Sequence, residues 1–219
     1  MVARVKVINT DKPSRRLLER AARLILKNEV IVCPTDTGYA FVANALEPKA
    51  VVKVFNLKGR AYSNPIHVAV NSVEAAESYA QLNTAARYLA HKFLPGALTM
   101  VLPRKEIIPA LLVAGRDTVG IRIPDNRVIL GLAAMTGLPL TATSANISGK
   151  PTPYSVPEVV SHLGETIENV ALVLDQGPLP IRELSTIIDL TVSPPQLLRQ
   201  GRISWIELWQ VLQSLPDDG

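Results

Sequence analysis

Val30-Ile31-Val32-Cys33-Pro34-Thr35-Asp36-Thr37-Gly38-Tyr39 is the stretch on which the fold turns. Residues 30–33 are four apolar residues in a row. They read as a short strand buried on both faces and ended by Pro34. A polar Pro-Thr-Asp-Thr segment follows at once. Open α/β sheets bind ligands in loops at strand ends, so this order points both to a sheet interior and to a site. Thr35 and Thr37 are two residues apart, and in extended chain their hydroxyls point the same way. That pair suits a small polar substrate, and a Pro-Thr-Asp turn accounts for the same residues.

Outward from this stretch, Pro and Gly divide the chain into short elements. Upstream, residues 5–9 read as a strand. Residues 13–28 read as a helix with Leu17, Ala21, Leu24 and Ile25 on one stripe and Asp11 as its cap. Downstream, residues 48–57 form a helix with Val51, Val52 and Phe55 inward. Residues 66–70 form a strand, and 72–79 and 83–93 form two capped helices. Strands follow at 98–102 and 118–123. A helix at 126–136 closes at Gly137, and a strand at 140–143 feeds a Ser-Ala-Asn turn. Residues 170–175, 186–190 and 196–199 are later strands. A last helix opens at Ser204, with Glu207 completing a capping box. Helices and strands interleave without strict alternation. The expected fold is therefore α/β, a single domain over residues 1–219 with a twisted, mixed open sheet and flanking helices.

The chain has 219 residues, 47% of them apolar, with 23 basic and 19 acidic residues and a net charge of +4. This is enough chain for one well-buried core without disulfide or metal staples. The mild positive excess suits phosphate binding or solubility and does not by itself define a nucleic-acid protein. The single cysteine, Cys33, excludes an intrachain disulfide and fits a reducing cytoplasm. The first residues lack the apolar core of a signal peptide, and no apolar run of about 18 residues suggests a membrane span.

The commonest catalytic motifs are missing: the phosphate loop, Gly-x-Gly-x-x-Gly, His-Glu-x-x-His and Gly-x-Ser-x-Gly. His67, His91 and His162 lie far apart without companions at metal-ligand spacing, so no metal site is expected and each reads as a structural histidine. Three polar clusters remain beside the first. Lys58-Gly59-Arg60, followed by Asn64-Pro65, joins a point charge to a planar fork, which suits a polyphosphate. Gly59 would let a bulky anion approach. A solvated basic turn is the competing reading. Ser144-Ala145-Asn146 offers a hydroxyl and an amide for a phosphate oxygen or a ribose, or closes a strand as a turn. Arg122, between Ile121 and Ile123, lies on the opposite strand face from its neighbours. There it needs an anion: a substrate carboxylate, or Asp117 or Asp125 as a structural partner.

In fixed order, eight segments carry a resemblance. They are Pro-Thr-Asp-Thr (34–37), Lys-Gly-Arg (58–60), Asn-Pro (64–65), Phe-Leu-Pro-Gly-Ala-Leu-Thr (93–99), Gly-Ile-Arg-Ile-Pro (120–124), Thr-Ser-Ala-Asn-Ile-Ser-Gly (143–149), Leu-Ser-Thr-Ile-Ile-Asp (184–189) and Leu-Leu-Arg-Gln-Gly (197–201). Together, over about residues 30–203, the chain resembles the YrdC-like family of threonylcarbamoyl-AMP synthases, in its short single-domain form. The resemblance implies a twisted sheet around a positively charged cavity. It also implies a nucleotidyltransferase that makes threonylcarbamoyl-adenylate and pyrophosphate from L-threonine, bicarbonate and ATP. The product would pass to a tRNA threonylcarbamoyltransferase complex that modifies adenosine 37, with at most a weak tRNA contact and no membrane.

Carried over by position, Lys58 and Arg60 would be catalytic and hold the triphosphate. Asn64, Thr118, Ser144, Asn146, Thr152 and Arg199 would complete the ATP site. Thr35, Thr37, Arg122, Ala142 and Ser185 would hold L-threonine, with Arg122 on its carboxylate. Mg2+ would enter mainly through the ATP phosphates. The chain departs from the family where Ala61 replaces the usual proline and Gly38-Tyr39-Ala40-Phe41 replaces Val-Tyr-Gly-Leu. It departs again at Ala69, where many relatives carry a histidine; His67 is assigned to the other strand face. The competing functions are an RNA-binding module without catalysis and a paralogue acting on another carbamoyl acceptor.

Overall fold

A computed structural model describes residues 5–7 and 13–215. The first expected strand is β1 (Val5–Val7). The rest of that expectation and the Asp11 cap lie outside the described residues. The chain continues as α1 (Arg15–Leu26), β2 (Ile31–Thr35), β3 (Gly38–Val42), α2 (Pro48–Lys58), β4 (His67–Ala69), α3 (Val73–Glu77), α4 (Thr84–Phe93) and β5 (Leu98–Pro103). Then come β6 (Thr118–Arg122), α5 (Arg127–Thr136), β7 (Leu140–Ser144), α6 (Val156–Leu163), a 3-10 helix (Gly164–Asn169), β8 (Leu172–Asp175), β9 (Thr186–Asp189), β10 (Gln196–Arg199) and α7 (Trp205–Gln213).

The decisive stretch does not stop at Pro34. β2 runs on to Thr35, turns over Asp36 and Thr37, and returns as β3 with Pro34 opposite Tyr39 and Thr35 opposite Gly38. The proline is tolerated for a local reason. The Tyr39 N–H donates outward to Pro153 O at 2.9 Å, so Pro34 sits where no hydrogen bond crosses the hairpin. Pairing of β2 with β8 has already ended at Val32, so the missing N–H breaks no ladder bond. Gly38 closes the turn at φ +123°, and a Cβ there would stand 2.5 Å from Thr152 Cγ2.

Ten strands form one sheet in the order β1-β8-β2-β3-β7-β4-β6-β5-β9-β10. The pairs β1/β8, β2/β8, β4/β6 and β5/β9 are parallel. The pairs β2/β3, β3/β7, β4/β7, β5/β6 and β9/β10 are antiparallel. The mixed sheet expected from the uneven alternation of elements is therefore present.

Both faces of the sheet centre are buried, and alternation sorts the side chains. Ile31, Cys33, Ala40, Val42, Leu172 and Leu174 pack with α1 and α5. Val32, Tyr39, Phe41 and Val173 pack on the opposite face with α2, α4 and α6. Each Val, Ile, Leu or Phe among them, fully removed from water, contributes about 1.5–3 kcal/mol. The same alternation runs along the neighbouring strands. Val68, Leu98, Met100, Val119, Ile121 and Ile188 face the α2/α4 core. His67, Thr99, Arg122 and Ser185 face the other way. They lie on the α1/α5 side, beyond the area those two helices cover, and they line a cavity there.

Several local expectations are corrected. In α1 the buried stripe is Leu18, Ala21, Ala22 and Ile25, so Leu17 and Leu24 lie at its margins. In α2 Val54 is buried, whereas Val52 is only partly so. Strand β3, helix α6 and the 3-10 helix are additions to the elements expected from the sequence. By contrast, Ser72 and Asn83 cap α3 and α4 as expected, and Asn126, expected inside the helix, caps α5. Gly137 ends α5 at φ +65°. Ser204 and Glu207 form the full capping box of α7.

Candidate active site

A cavity of about 180 Å³ opens at the ends of β2, β3, β4, β6, β7 and β9. Arg60, Arg122 and Arg199 line it, and among the described residues no carboxylate does. The hydroxyls of Thr35, Thr37, Thr99, Thr143, Ser144, Thr152 and Ser185 complete its polar surface.

One wall is built around Lys58. Gly59 ends α2 at φ +54°, in the left-handed conformation that glycine adopts without cost. A Cβ at Gly59 would meet only Ile147, 3.9 Å away. Its role is thus to turn the chain so that Lys58 and Arg60 leave the helix end in different directions, rather than to admit a bulky anion. Lys58 is 2% exposed. Its Nζ donates to Ser144 O at 2.7 Å, Asn146 Oδ1 at 3.0 Å and Asn146 O at 3.2 Å, with Ser144 Oγ at 3.4 Å. Burial and the charge of Arg60 push its pKa from 10.5 to about 7. The oxygens around Nζ oppose that shift, because three acceptors need the three N–H groups of an ammonium.

Ser144 Oγ donates to Asn146 Oδ1 at 2.6 Å, and Asn146 Nδ2 donates to Pro151 O at 3.0 Å and to Lys150 O. The Ser148 N–H donates to Lys58 O at 2.7 Å. The two tripeptides are thereby one hydrogen-bonded unit, with Ser144 on the cavity and Lys58 and Asn146 behind it.

Arg60 reaches the cavity from the loop after α2. Its Nε donates to Asn64 O at 3.2 Å and its Nη2 to Pro65 O at 3.0 Å. Asn64 thus takes part through its backbone and does not line the cavity. On the far side, Arg199 donates from Nε and Nη2 to Ser185 O, and from Nη2 to Ser185 Oγ at 3.0 Å. Ser185 Oγ lies 2.9 Å from Thr99 Oγ1. Burial lowers the pKa of both arginines.

Arg122 does not pair with Asp117 or Asp125. Its Nη2 donates to Asp36 Oδ1 at 2.7 Å, its Nη1 donates to Thr37 Oγ1 at 2.7 Å, and Asp36 is the ion-pair partner. Asp117 lies instead against Arg104, 3.8 Å away. The hairpin turn explains the difference, since it carries Asp36 and Thr37 back over the end of β6. Burial lowers the Arg122 pKa and Asp36 raises it. Asp36 Oδ2 is buried without a hydrogen-bond partner.

Of the expected residues, Thr35, Thr37, Arg60, Arg122, Ala142, Ser144, Thr152, Ser185 and Arg199 line this one cavity. Thr118 does not. It starts β6, four residues before Arg122, or about 13 Å along a strand. Thr99 and His67 are two polar lining residues outside the expected set. Thr99 alternates with Leu98 and Met100, and that alternation marks it. The expected placement of His67 on the strand face away from residue 69 is corrected. Side chains two apart share a face, and His67 lines the cavity. Among the described residues no group of three or more His, Cys, Asp or Glu could hold a metal ion. No helix among them is long and apolar enough to cross a membrane.

These features define the class: an α/β protein with a mixed sheet and a cavity at its strand ends lined by three arginines. The sequence model of the Sua5, YciO and YrdC family, described as telomere recombination, matches residues 23–201, and the chain belongs to that family. A Pyrococcus abyssi relative named threonylcarbamoyl-AMP synthase is 39% identical over 193 residues, which are 88% of this chain and 56% of that protein. A Methanocaldococcus jannaschii relative is 38% identical over 200 residues, 91% of this chain and 93% of its own. The chain thus spans about half of the first and nearly all of the second. The crystal structure of P. abyssi Sua5 complexed with L-threonine superposes with a TM-score of 0.88 at 36% identity, covering 94% of this chain and 61% of that one. Escherichia coli YciO superposes at 0.83 with 25% identity, covering 94% and 99%.

Proposed function

We propose that this chain is a threonylcarbamoyl-AMP synthase, a nucleotidyltransferase that joins L-threonine, bicarbonate and ATP with release of pyrophosphate. The observation that carries the reading is the convergence of Arg60, Arg122 and Arg199 on one cavity that no carboxylate of the described residues lines. The likeness to a relative crystallised with L-threonine supports the choice of amino acid. The product would serve the threonylcarbamoyl modification of tRNA in the cytoplasm.

In this reading Arg60, with Lys58 and Asn146 behind Ser144, faces the triphosphate, and Arg199 and Thr152 lie on the nucleotide side. Arg122, Thr37, Thr35, Ala142 and Ser185 hold the amino acid, with its carboxylate on Arg122. The amine and bicarbonate give a carbamate. A carbamate oxygen attacks the α-phosphorus, and pyrophosphate leaves. No covalent enzyme intermediate is required. The chain acts by positioning the reactants and by offsetting negative charge in a partly dry site. The donor set consists of hydroxyls and cations, which suits no resident metal. Mg2+ would arrive bound to the ATP phosphates, as part of the substrate.

Lys58→Ala and Arg60→Ala each test this reading. Each is expected to lower threonine-dependent pyrophosphate release by roughly 10²-fold or more, with the circular dichroism spectrum retained. Full activity in both folded variants would contradict it.

A further inference from the structure

His67 is the imidazole in the cavity, and the scheme above leaves it idle. It stands on β4 opposite Ala142 of β7 and beside Gly120 of β6. A Cβ at Gly120 would lie 2.5 Å from His67 Cδ2 and 2.9 Å from Cγ. The glycine therefore makes the space in which the imidazole lies flat against β6. The ring lines the cavity, yet it makes no hydrogen bond to any described residue. Arg60, Arg122 and Ser185 are, by contrast, each held by partners within the chain.

The charges around His67 come from three directions. Arg60 follows α2, Arg122 ends β6, and Arg199 ends β10; all three act on the ring. Asp36, the nearby carboxylate, is already paired with Arg122. An imidazolium in such a setting is opposed by three like charges and by burial. The pKa of His67 falls accordingly from 6.5 to about 4, burial first and the arginines next. The ring is therefore neutral near neutral pH, with a nitrogen able to accept a proton. In a cavity otherwise lined by cations and hydroxyls, it is the strongest neutral base.

The proposed reaction needs such a base. An amino acid enters with an ammonium, which cannot attack carbon until it loses a proton. Resting on the synthase reading, we propose that His67 takes that proton, and that the anionic triphosphate on Arg60 and Arg199 is what makes it able to. The balance is simple. The ammonium gives one proton to a ring nitrogen. The freed amine forms the C–N bond to bicarbonate and one C–O bond breaks; that oxygen leaves as water with its own proton and one N–H proton, and the carbamate keeps the other N–H. Imidazolium later returns its proton to solvent. Before nucleotide binds, the three arginines keep His67 a poor base. The net negative charge of the metal-bound triphosphate beside Arg60 and Arg199, with the amino-acid carboxylate on Arg122, offsets the positive charges that hold the ring's pKa down. Carbamate would then form chiefly where ATP is already waiting.

The test has two arms. In the first, the His67 ring protons of the unsubstituted chain are titrated by NMR with and without α,β-methylene ATP, the signal being assigned by its loss in His67→Gln. The expected result is an upward pKa shift of at least about one unit, a tenfold change in proton affinity, on adding the nucleotide analogue. An unchanged or lower pKa overturns the coupling. In the second, steady-state rates are compared. His67→Gln is expected to lower kcat by roughly 10²-fold with the KM for ATP unchanged, and to remove the acidic limb of the pH profile. An unaltered kcat and profile overturn the base. If the unsubstituted chain itself releases no pyrophosphate with threonine, the synthase reading fails. If it does and His67→Gln matches it, only the role of His67 fails.

Discussion

Lys58 and Arg122 show how single residues take their chemistry from what surrounds them. Lys58 is buried behind Ser144 with three oxygens on its ammonium, and its pKa is driven down to about 7 by burial and by Arg60. Its charge is therefore lost as pH rises through about 7, over an interval of about one unit on either side. If that charge helps bind triphosphate, kcat/KM for ATP should fall with pH in this interval, since this ratio reports groups of the free enzyme. A profile flat to about pH 10 would contradict the role. Arg122 depends in turn on Asp36, and a buried charge that loses its partner is costly. Asp36→Asn keeps an oxygen near Arg122 but removes the charge. It is expected to raise the KM for the amino acid about tenfold, near 1.4 kcal/mol, and to leave the KM for ATP nearly unchanged. A loss shared equally by both substrates would show that Asp36 only supports the fold. The sequence does not disclose this pairing. Asp117 and Asp125 are nearer along the chain, and only the hairpin brings Asp36 onto Arg122.

At the scale of elements, what is legible in the sequence has local causes. The capping boxes, the αL glycines and the apolar runs state their structure within a few residues. Strand β3 is hidden because Gly38 and the polar turn before it break the pattern of a strand, while its partners β2 and β7 supply the pairing. The stripe of α1 is displaced from its expected place because Leu17, Leu18, Ala21, Ala22, Leu24 and Ile25 form an apolar arc of about 160°, wider than the buried stripe itself. Only packing against α5 and the sheet selects Leu18 over Leu17. Thermal or urea unfolding checks this. Leu18→Ala should cost about 2–5 kcal/mol and Leu17→Ala markedly less. Equal losses would mean that the helix is turned differently about its axis.

Across the whole molecule, the cavity follows from the sheet order. Strands remote in sequence, β2, β4, β6, β7 and β9, end side by side, so residues 35–37, 60, 67, 122, 144, 185 and 199 meet. Each segment alone reads equally well as a turn. Their fixed order along the chain is what marks them as a site, and the fold supplies the reason they belong together. Thr118 marks the limit of that reasoning: it shares β6 with Arg122 but sits at the wrong end of the strand. The central claim is that this cavity activates one amino acid on ATP. Bicarbonate-dependent pyrophosphate release, measured with purified chain across a panel of amino acids, tests it most directly. Release with L-threonine alone is the predicted result. Equal release with every amino acid, or none with threonine, would contradict it.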